Sequence, residues 1–171
     1  FVGKVFVVDN GRVATPMHRS VLDAVEMVEK GYSGAEIKKI LEETREKMII
    51  YIGLSTLEYL KKGGRISSMT ALAANVLNIK PVMGADKGVI IKLDQARGIN
   101  KGLARMCAIA VKDAGDTAEK TAVIAHCNNR GRAEQVRDEL LKLAPFKEIV
   151  ITETAGVATV YAGDGGIVLA I

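Results

Sequence analysis

Hydrophobic residues recur along this chain with two different spacings, which predict alternating helices and strands. A spacing of three or four residues indicates an amphipathic helix, whereas a short continuous apolar run indicates a strand buried on both faces. Helical spacing is found in the stripes Val21–Val28, Ile37–Thr44, Leu57–Leu60, Met69–Leu77, Leu103–Val111 and Ala133–Leu143. Strands are predicted over Lys4–Asp9, Met48–Leu54, Pro81–Met83, Val89–Leu93, Thr121–Ala125, Ile149–Thr152, Val157–Tyr161 and Ile167–Ala170.

Local capping and turn signals mark where several of these elements begin and end. Pro16 suits the first turn of a helix, and Gly31 suits the end of the same helix. Ser33, followed three residues later by Glu36, has the pattern of a capping box. Pro81 stops any preceding helix, and the glycine-containing segment 84–88 predicts a loop between two hairpin strands.

The order of these elements predicts an α/β fold in two parts. From residue 48 onward the predicted order is β-α-β-β-α-β-α-β-β, and its hairpins indicate a mixed sheet with helices mainly on one face. The apolar run Val5–Val8 suits a strand of a parallel sheet, which needs neighbouring strands that no earlier residue supplies. We therefore expect residues 1–47 to be the last strand and helices of a truncated N-terminal parallel α/β lobe, and residues 48–171 to form a C-terminal α/β lobe.

The composition argues against several classes of protein. Of the 171 residues, 49% are hydrophobic and 26% are charged, which is typical of a globular domain rather than a disordered chain. The net charge is +4, but Lys and Arg form no long run and Trp is absent, so nucleic acid is disfavoured as a partner. No apolar stretch reaches the roughly 20 residues that span a bilayer, so no stable membrane insertion is expected. Cys107 and Cys127 form no metal-binding pattern and suit buried thiols in a reducing cytoplasm.

The segment Lys61–Ser67 is the sharpest candidate for a binding site. Gly63 and Gly64 permit a positive φ and a close approach of the backbone to a ligand. Arg65 adds a forked cation beside backbone N–H groups and the Ser67 hydroxyl, an arrangement that suits a carboxylate or a phosphate. A basic turn between two helices explains the same residues equally well.

No pattern in the sequence indicates catalysis, a bound metal or a cofactor. The phosphate-binding pattern GxxxxGK[ST] is absent, and the turn Gly163–Gly166 lacks the spacing of a dinucleotide-binding loop. His18 and His126 have no partner at the spacing of a metal site or a catalytic triad, so structural roles are favoured. Arg97, at the end of a predicted strand, suits an ordinary surface arginine when taken alone. These absences favour a binding module over an enzyme.

Several segments together resemble the DegV family, and the resemblance runs through nearly the whole chain in the right order. The family signature is matched by Leu57–Ile66, which reads LEYLKKGGRI, and by Asn78–Val82, Lys87–Ile90, Arg97, Val7–Asp9 and Gly31–Ile37. Because no single short motif carries the likeness, we regard it as specific.

The resemblance implies a carrier without catalytic activity. DegV-like proteins have two α/β lobes that enclose a long-chain fatty acid, and some present its carboxylate to a separate ATP-binding fatty acid kinase subunit. By this resemblance Arg65 and Arg97 belong near the head group or on the surface that faces the partner. The predicted ligand-binding residues are completed by Gly63, Gly64, Ser67, Tyr161, Leu57, Leu60 and Ile66, of which the apolar ones would line a tunnel for the tail.

Three positions depart from the family pattern and keep other readings open. Tyr161 stands where a carboxylate-binding histidine is expected; a phenol donates a hydrogen bond but does not become cationic. Asp164 replaces a proline of the family pattern, and Asn10 replaces a serine. Two alternatives therefore remain: a regulatory or interaction domain without a lipid ligand, and a small-molecule phosphotransferase that uses the Gly63–Arg65 turn.

Overall fold

The secondary structure follows the predicted order with two exceptions. The computed structural model describes residues 4–65, 78–86 and 88–171. Its helices are α1 (Thr15–Glu29), α2 (Gly34–Thr44), α3 (Glu58–Lys62), α4 (Ile99–Ala114), α5 (Arg130–Leu143) and α6 (Gly156–Ala162), with a 3₁₀ turn at Arg45–Lys47. Its strands are β1 (Ile50–Gly53), β2 (Ile79–Asp86), β3 (Val89–Arg97), β4 (Thr121–His126), β5 (Glu148–Glu153) and β6 (Ile167–Ala170).

The strands of the described residues form one mixed sheet, as the hairpins predicted. Its spatial order is β3-β2-β1-β6-β4-β5, and every neighbouring pair is antiparallel except β4 and β5. The register places Tyr51 opposite both Gly84 and Leu169. The β2–β3 hairpin contains an irregularity between Val82 and Met83, so the strands shift register there.

Helices α4 and α5 cover one face of this sheet and bury the main core. The predicted stripe of α4 supplies Met106 and Cys107, and that of α5 supplies Val136 and Leu140, all of them fully buried or nearly so. Burying one such side chain contributes about 1.5–3 kcal/mol of hydrophobic free energy. We refer to this side of the sheet as the α4–α5 face.

The opposite face carries α1 and the two short helices α3 and α6. Alternation along β1 sends Tyr51 to the α4–α5 core, while Ile50 and Ile52 point to the other side. Helix α1 reaches β4 and β6 on this side, where Ala14 packs against a small apolar cluster. A second cluster on this side, the Leu60 cluster, contains Leu54, Leu60, Met83, Cys127 and Ala162. We refer to this side as the α3–α6 face.

The predicted strand at Lys4–Asp9 is wrong. Residues 5–13 have no regular secondary structure, and Val5 and Val7 are 62% and 77% exposed. The segment is tied to α2 instead: the Val7 carbonyl accepts a hydrogen bond from Lys38 Nζ, and the Asp9 N–H donates to Glu42. An apolar run becomes a strand only where a second strand pairs with it, and no described strand does so.

The predicted strand at Val157–Tyr161 is also wrong, because these residues belong to α6. The helix begins at Gly156 and ends before Gly163, which has a positive φ of 64°. Val157 and Val160 are 65% and 63% exposed, so the apolar run is not buried on both faces. The chain order after β5 is therefore α6 and then β6, and the predicted helix over Met69–Leu77 lies outside the described residues.

Candidate functional site

Helices α3 and α6 lie side by side and interlock through two tyrosine–glycine contacts. The Tyr161 ring lies so close to Gly63 that a Cβ there would be 2.5 Å from its Cε1 atom. Reciprocally, the Tyr59 ring lies against Gly163 and leaves no room for a side chain at that position. Because helices of five and seven residues are not stable alone, these contacts are part of what holds them.

Arg65 stacks on Tyr161 at the end of α3. Its guanidinium carbon is 4.8 Å from the centre of the Tyr161 ring, which is the geometry of a cation–π interaction. Its Nη1 donates a hydrogen bond of 2.6 Å to the carbonyl of Gly63. The other guanidinium N–H groups have no partner among the described residues, and the side chain is exposed. The structure thus brings together Gly63, Arg65 and Tyr161 from the predicted site.

The glycine turn does not offer free backbone N–H groups in the way that the sequence suggested. The N–H groups of Gly63, Gly64 and Arg65 all donate to carbonyls of the preceding helical turn, at 2.8–3.0 Å. Gly64 has a φ of 70°, so it is the left-handed residue that ends α3. In the described part of this turn, an anion would therefore be held by the Arg65 side chain rather than by backbone amides.

Apolar side chains lie directly beside the Arg65–Tyr161 stack. Leu60 is 2% exposed within the Leu60 cluster, and Leu57 and Tyr161 pack against that cluster while remaining partly exposed. Ile52 and Ile90 of the sheet are also partly exposed beside it. The arrangement places a cation and a phenol at the border of an apolar surface, which suits an amphipathic acid.

Arg97, the other predicted arginine of the site, is not bonded to this stack within the described part of the chain. Arg97 is the last residue of the edge strand β3 and is exposed, and no hydrogen bond or ion pair joins it to Arg65 or Tyr161 within the described residues. Ile66 and Ser67 lie outside the described residues.

One ion pair lies on the exposed surface of α3. Lys62 forms an ion pair of 2.7 Å with Glu58, one helical turn earlier. Hydrogen bonding to Lys62 holds the pKa of Glu58 below its ordinary value. Asp164, one of the departures from the family pattern, is exposed and accepts a hydrogen bond of 3.0 Å from the Asn128 side chain.

The structure adds one polar group that the sequence analysis missed. Arg132 Nη1 donates a hydrogen bond of 2.7 Å to Ser55 Oγ and a second, short one to the carbonyl of Gly165. Lys80 Nζ donates to the carbonyl of Ser55 at 2.6 Å. Because Arg132 and Ser55 are 77 residues apart, no local spacing in the sequence could have indicated this contact.

The described residues show no sign of a metal site or a membrane span. No group of three or more His, Cys, Asp or Glu in that part of the chain could hold a metal ion. His126 is 2% exposed, and its Nδ1 accepts a hydrogen bond from the backbone of Asn129. Across the same residues, none of the helices has the length and apolar character that crossing a membrane requires.

Comparison with known proteins gives a consistent result. A family model described as "Uncharacterised protein, DegV family" matches residues 2–171. Over 147 residues the chain is 29% identical to the DegV protein of Bacillus subtilis, which corresponds to 85% of this chain and 52% of that protein. The chain thus spans about half the length of that relative.

Two solved structures share the fold described above. A DegV-family protein of Ruminococcus gnavus, refined with vaccenic acid, is 31% identical, with a TM-score of 0.90 over 97% of this chain and 59% of that one. The fatty acid kinase B3 protein of Streptococcus pneumoniae, loaded with linoleic acid, is 26% identical, with a TM-score of 0.85 over 98% of this chain and 59% of that one.

Proposed function

Because the chain belongs to the DegV family, we propose that it forms part of a carrier that binds one long-chain fatty acid. The observation that carries the proposal is the Arg65–Tyr161 stack at the border of the Leu60 cluster. Arg65 and the Tyr161 hydroxyl would hold the carboxylate, and the alkyl chain would lie against the apolar side chains. The fatty acids bound to similar solved proteins support this reading.

The free energy of binding would come mainly from the alkyl chain. Each buried methylene contributes about 0.8 kcal/mol, so roughly 14 of them give about 11 kcal/mol before the cost of association. Hydrogen bonds from an arginine contribute about 1.5–3 kcal/mol. The head group would therefore set orientation and select for an acid, while the carrier itself carries out no reaction.

We also propose that the carboxylate is presented to a separate ATP-binding kinase subunit. One similar solved protein is itself a fatty acid kinase B protein, which supports this assignment. Arg97 is exposed at the end of the edge strand β3, so we propose that it belongs to the partner-facing surface.

Residues 1–47 would belong to a second lobe that completes the binding site. Helix α1 turns an apolar stripe outward, because Met17, Val21, Val25 and Val28 are all exposed, and such a stripe usually packs against something. The chain also spans only about half the length of its relatives. We therefore expect residues 1–171 alone to bind a fatty acid more weakly than a protein of its relatives' full length does.

Native mass spectrometry of the complete gene product tests the main proposal. The expected result is an added mass equal to that of a long-chain fatty acid, released as the free acid by organic extraction. Arg65→Gln should lower the affinity for a fluorescent fatty acid about tenfold, since it removes the cation. Lys112→Gln removes the same charge from an exposed position on α4, on the other face of the sheet, and is the control that should leave the affinity unchanged. A purified protein that carries no acid and takes none up would refute the proposal.

One observation favours the alternative of an interaction domain without a lipid ligand. Arg65 folds back on its own turn and donates to Gly63, as a purely structural arginine would. In that case Arg65→Gln would lower thermal stability and no fatty acid would bind to the unsubstituted protein. ATP hydrolysis by the isolated protein, with no fatty acid bound, would instead support the phosphotransferase reading.

A further inference from the structure

Arg132 contacts both of the loops that lead to the candidate site. Ser55 lies between β1 and α3, and Gly165 lies between α6 and β6. A single nitrogen of Arg132, Nη1, donates to the Ser55 hydroxyl and to the Gly165 carbonyl. The Ser55 hydroxyl also donates a longer hydrogen bond of 3.4 Å to the Gly165 carbonyl. The loop before α3 and the loop after α6 are thus joined both directly and through the Arg132 guanidinium.

The guanidinium projects from a firmly anchored position. Arg132 lies in the first turn of α5, and its backbone N–H donates a hydrogen bond of 3.0 Å to the capping side chain of Asn129. The next residue, Ala133, is fully buried in the main core. Arg132 therefore joins the well-packed α4–α5 face to the loops of the α3–α6 face.

Both contacted residues are fixed by further bonds. The Ser55 carbonyl accepts from Lys80, so Ser55 is held at its hydroxyl and at its backbone by two different cations. The Gly165 N–H donates to the Cys127 carbonyl at 2.9 Å, which fastens the turn to the end of β4. A Cβ at Gly165 would lie 2.5 Å from Arg132 Nη1, so only glycine lets the guanidinium approach this turn.

These contacts matter because α3 and α6 are too short to hold their own positions. Their mutual contacts, Tyr59 with Gly163 and Tyr161 with Gly63, fix one helix against the other. Leu60 and Ala162 pack the pair against the sheet, but such apolar contacts are not directional. We propose that Arg132 is a positioning residue: it holds the loops before α3 and after α6 at one distance and so keeps Arg65 over Tyr161 for carboxylate binding. The carboxylate part of this inference rests on the proposed function; the positioning part does not.

Hydrogen–deuterium exchange tests the positioning part without any ligand. In the complete gene product, Arg132→Gln should speed exchange of the amides of α3 and α6 together by about tenfold, and leave α4 unchanged. Arg130→Gln is the matched control: Arg130 lies in the same helical turn but pairs with Glu134 at the surface. If exchange in α3 and α6 is unaltered by Arg132→Gln, or altered equally by Arg130→Gln, the inference is overturned.

Discrimination between a fatty acid and its methyl ester tests the carboxylate part. Arg132→Gln should lower the affinity for the acid about tenfold and the affinity for the ester little, because the ester lacks the charge that Arg65 recognises. Arg132→Lys should restore part of the discrimination, since an ammonium can keep one of the two hydrogen bonds. A merely structural role would weaken acid and ester equally.

A double-substitution cycle with Arg65 completes the test. If Arg132 acts through Arg65, Arg132→Gln should have almost no further effect on acid affinity in the Arg65→Gln background. An undiminished effect in that background overturns the role in carboxylate recognition. If the unsubstituted protein binds neither acid nor ester, the proposed function fails and this role fails with it, while the exchange experiment still decides whether Arg132 positions the two helices.

Discussion

The two faces of the sheet differ in how completely they are packed. The α4–α5 face is covered by helices of 16 and 14 residues whose apolar stripes are buried against the strands. The α3–α6 face is covered by α1 over β4 and β6, and elsewhere only by two helices of five and seven residues among those described. Several of the apolar side chains beside the two short helices remain partly exposed. The α4–α5 face therefore contains most of the buried core, whereas the α3–α6 face retains apolar surface that the proposed fatty acid would contact.

The largest expected difference between the faces is the cost of removing a buried leucine. Leu140→Ala on the α4–α5 face should lower the free energy of unfolding by about 2–5 kcal/mol, because the rigid core cannot close the cavity. Leu60→Ala on the α3–α6 face should cost at least about 1 kcal/mol less, because short helices can shift to fill the space. Urea denaturation of both variants measures the two values, and equal losses would contradict the contrast.

The tyrosine–glycine contacts should be the next most sensitive feature. Gly163→Ala introduces a Cβ into the Tyr59 ring as well as strain at a φ of 64°. Gly115→Ala is the matched control, since Gly115 also ends a helix at a φ of 67° but has open space around it. Both should lose about 1–3 kcal/mol to backbone strain, and Gly163→Ala should lose more. Similar melting temperatures would show that the ring contact is easily relieved.

The two cysteines should react with thiol reagents at different rates, because they lie on the two differently packed faces of the sheet. Cys107 is a residue of α4 that is fully buried in the main core, and burial raises its pKa to about 12. Cys127 belongs to the Leu60 cluster, where local opening should be easier. We expect a thiol reagent to label Cys127 before Cys107, with Cys107→Ser and Cys127→Ser variants identifying each phase. A bound fatty acid should slow only the labelling of Cys127. If Cys107 is labelled faster than Cys127, the α4–α5 face opens more easily than the α3–α6 face, contrary to our expectation.

The smallest expected effect is a change in stability at low pH, and it involves Glu26 of α1. Hydrogen bonds from Lys30 and Lys147 lower the pKa of Glu26 to about 2. A carboxyl group whose pKa is depressed by folding stabilises the folded state above its unfolded pKa, and this contribution is lost as the pH falls from about 4.5 toward 2. Glu26→Gln should therefore reduce the loss of melting temperature over that range. Glu29→Gln, an exposed change on the same helix, should leave that loss of melting temperature unchanged. If the melting temperatures of both variants fall equally over this pH range, Glu26 does not make the proposed contribution.

The elements that the sequence determined are those whose signals lie within a few residues. The capping box of Ser33 and Glu36 forms as predicted, and the stripes of α4 and α5 identify the buried residues of the main core. The β2–β3 hairpin follows from two apolar runs and a glycine between them. In each case the residues that decide the structure are neighbours along one helix or one turn.

Tertiary structure alone decided the rest. Residues 157–161 are apolar enough for a strand, but they form a helix that packs against α3, about 100 residues earlier in the chain. Likewise, Val5–Val8 lies beside α2, where no strand of the described residues pairs with it. Arg132 meets Ser55 although the two residues are 77 positions apart. Periodicity and capping depend on local geometry, whereas strand pairing, ring contacts and the placement of a guanidinium depend on which distant segment comes to lie alongside.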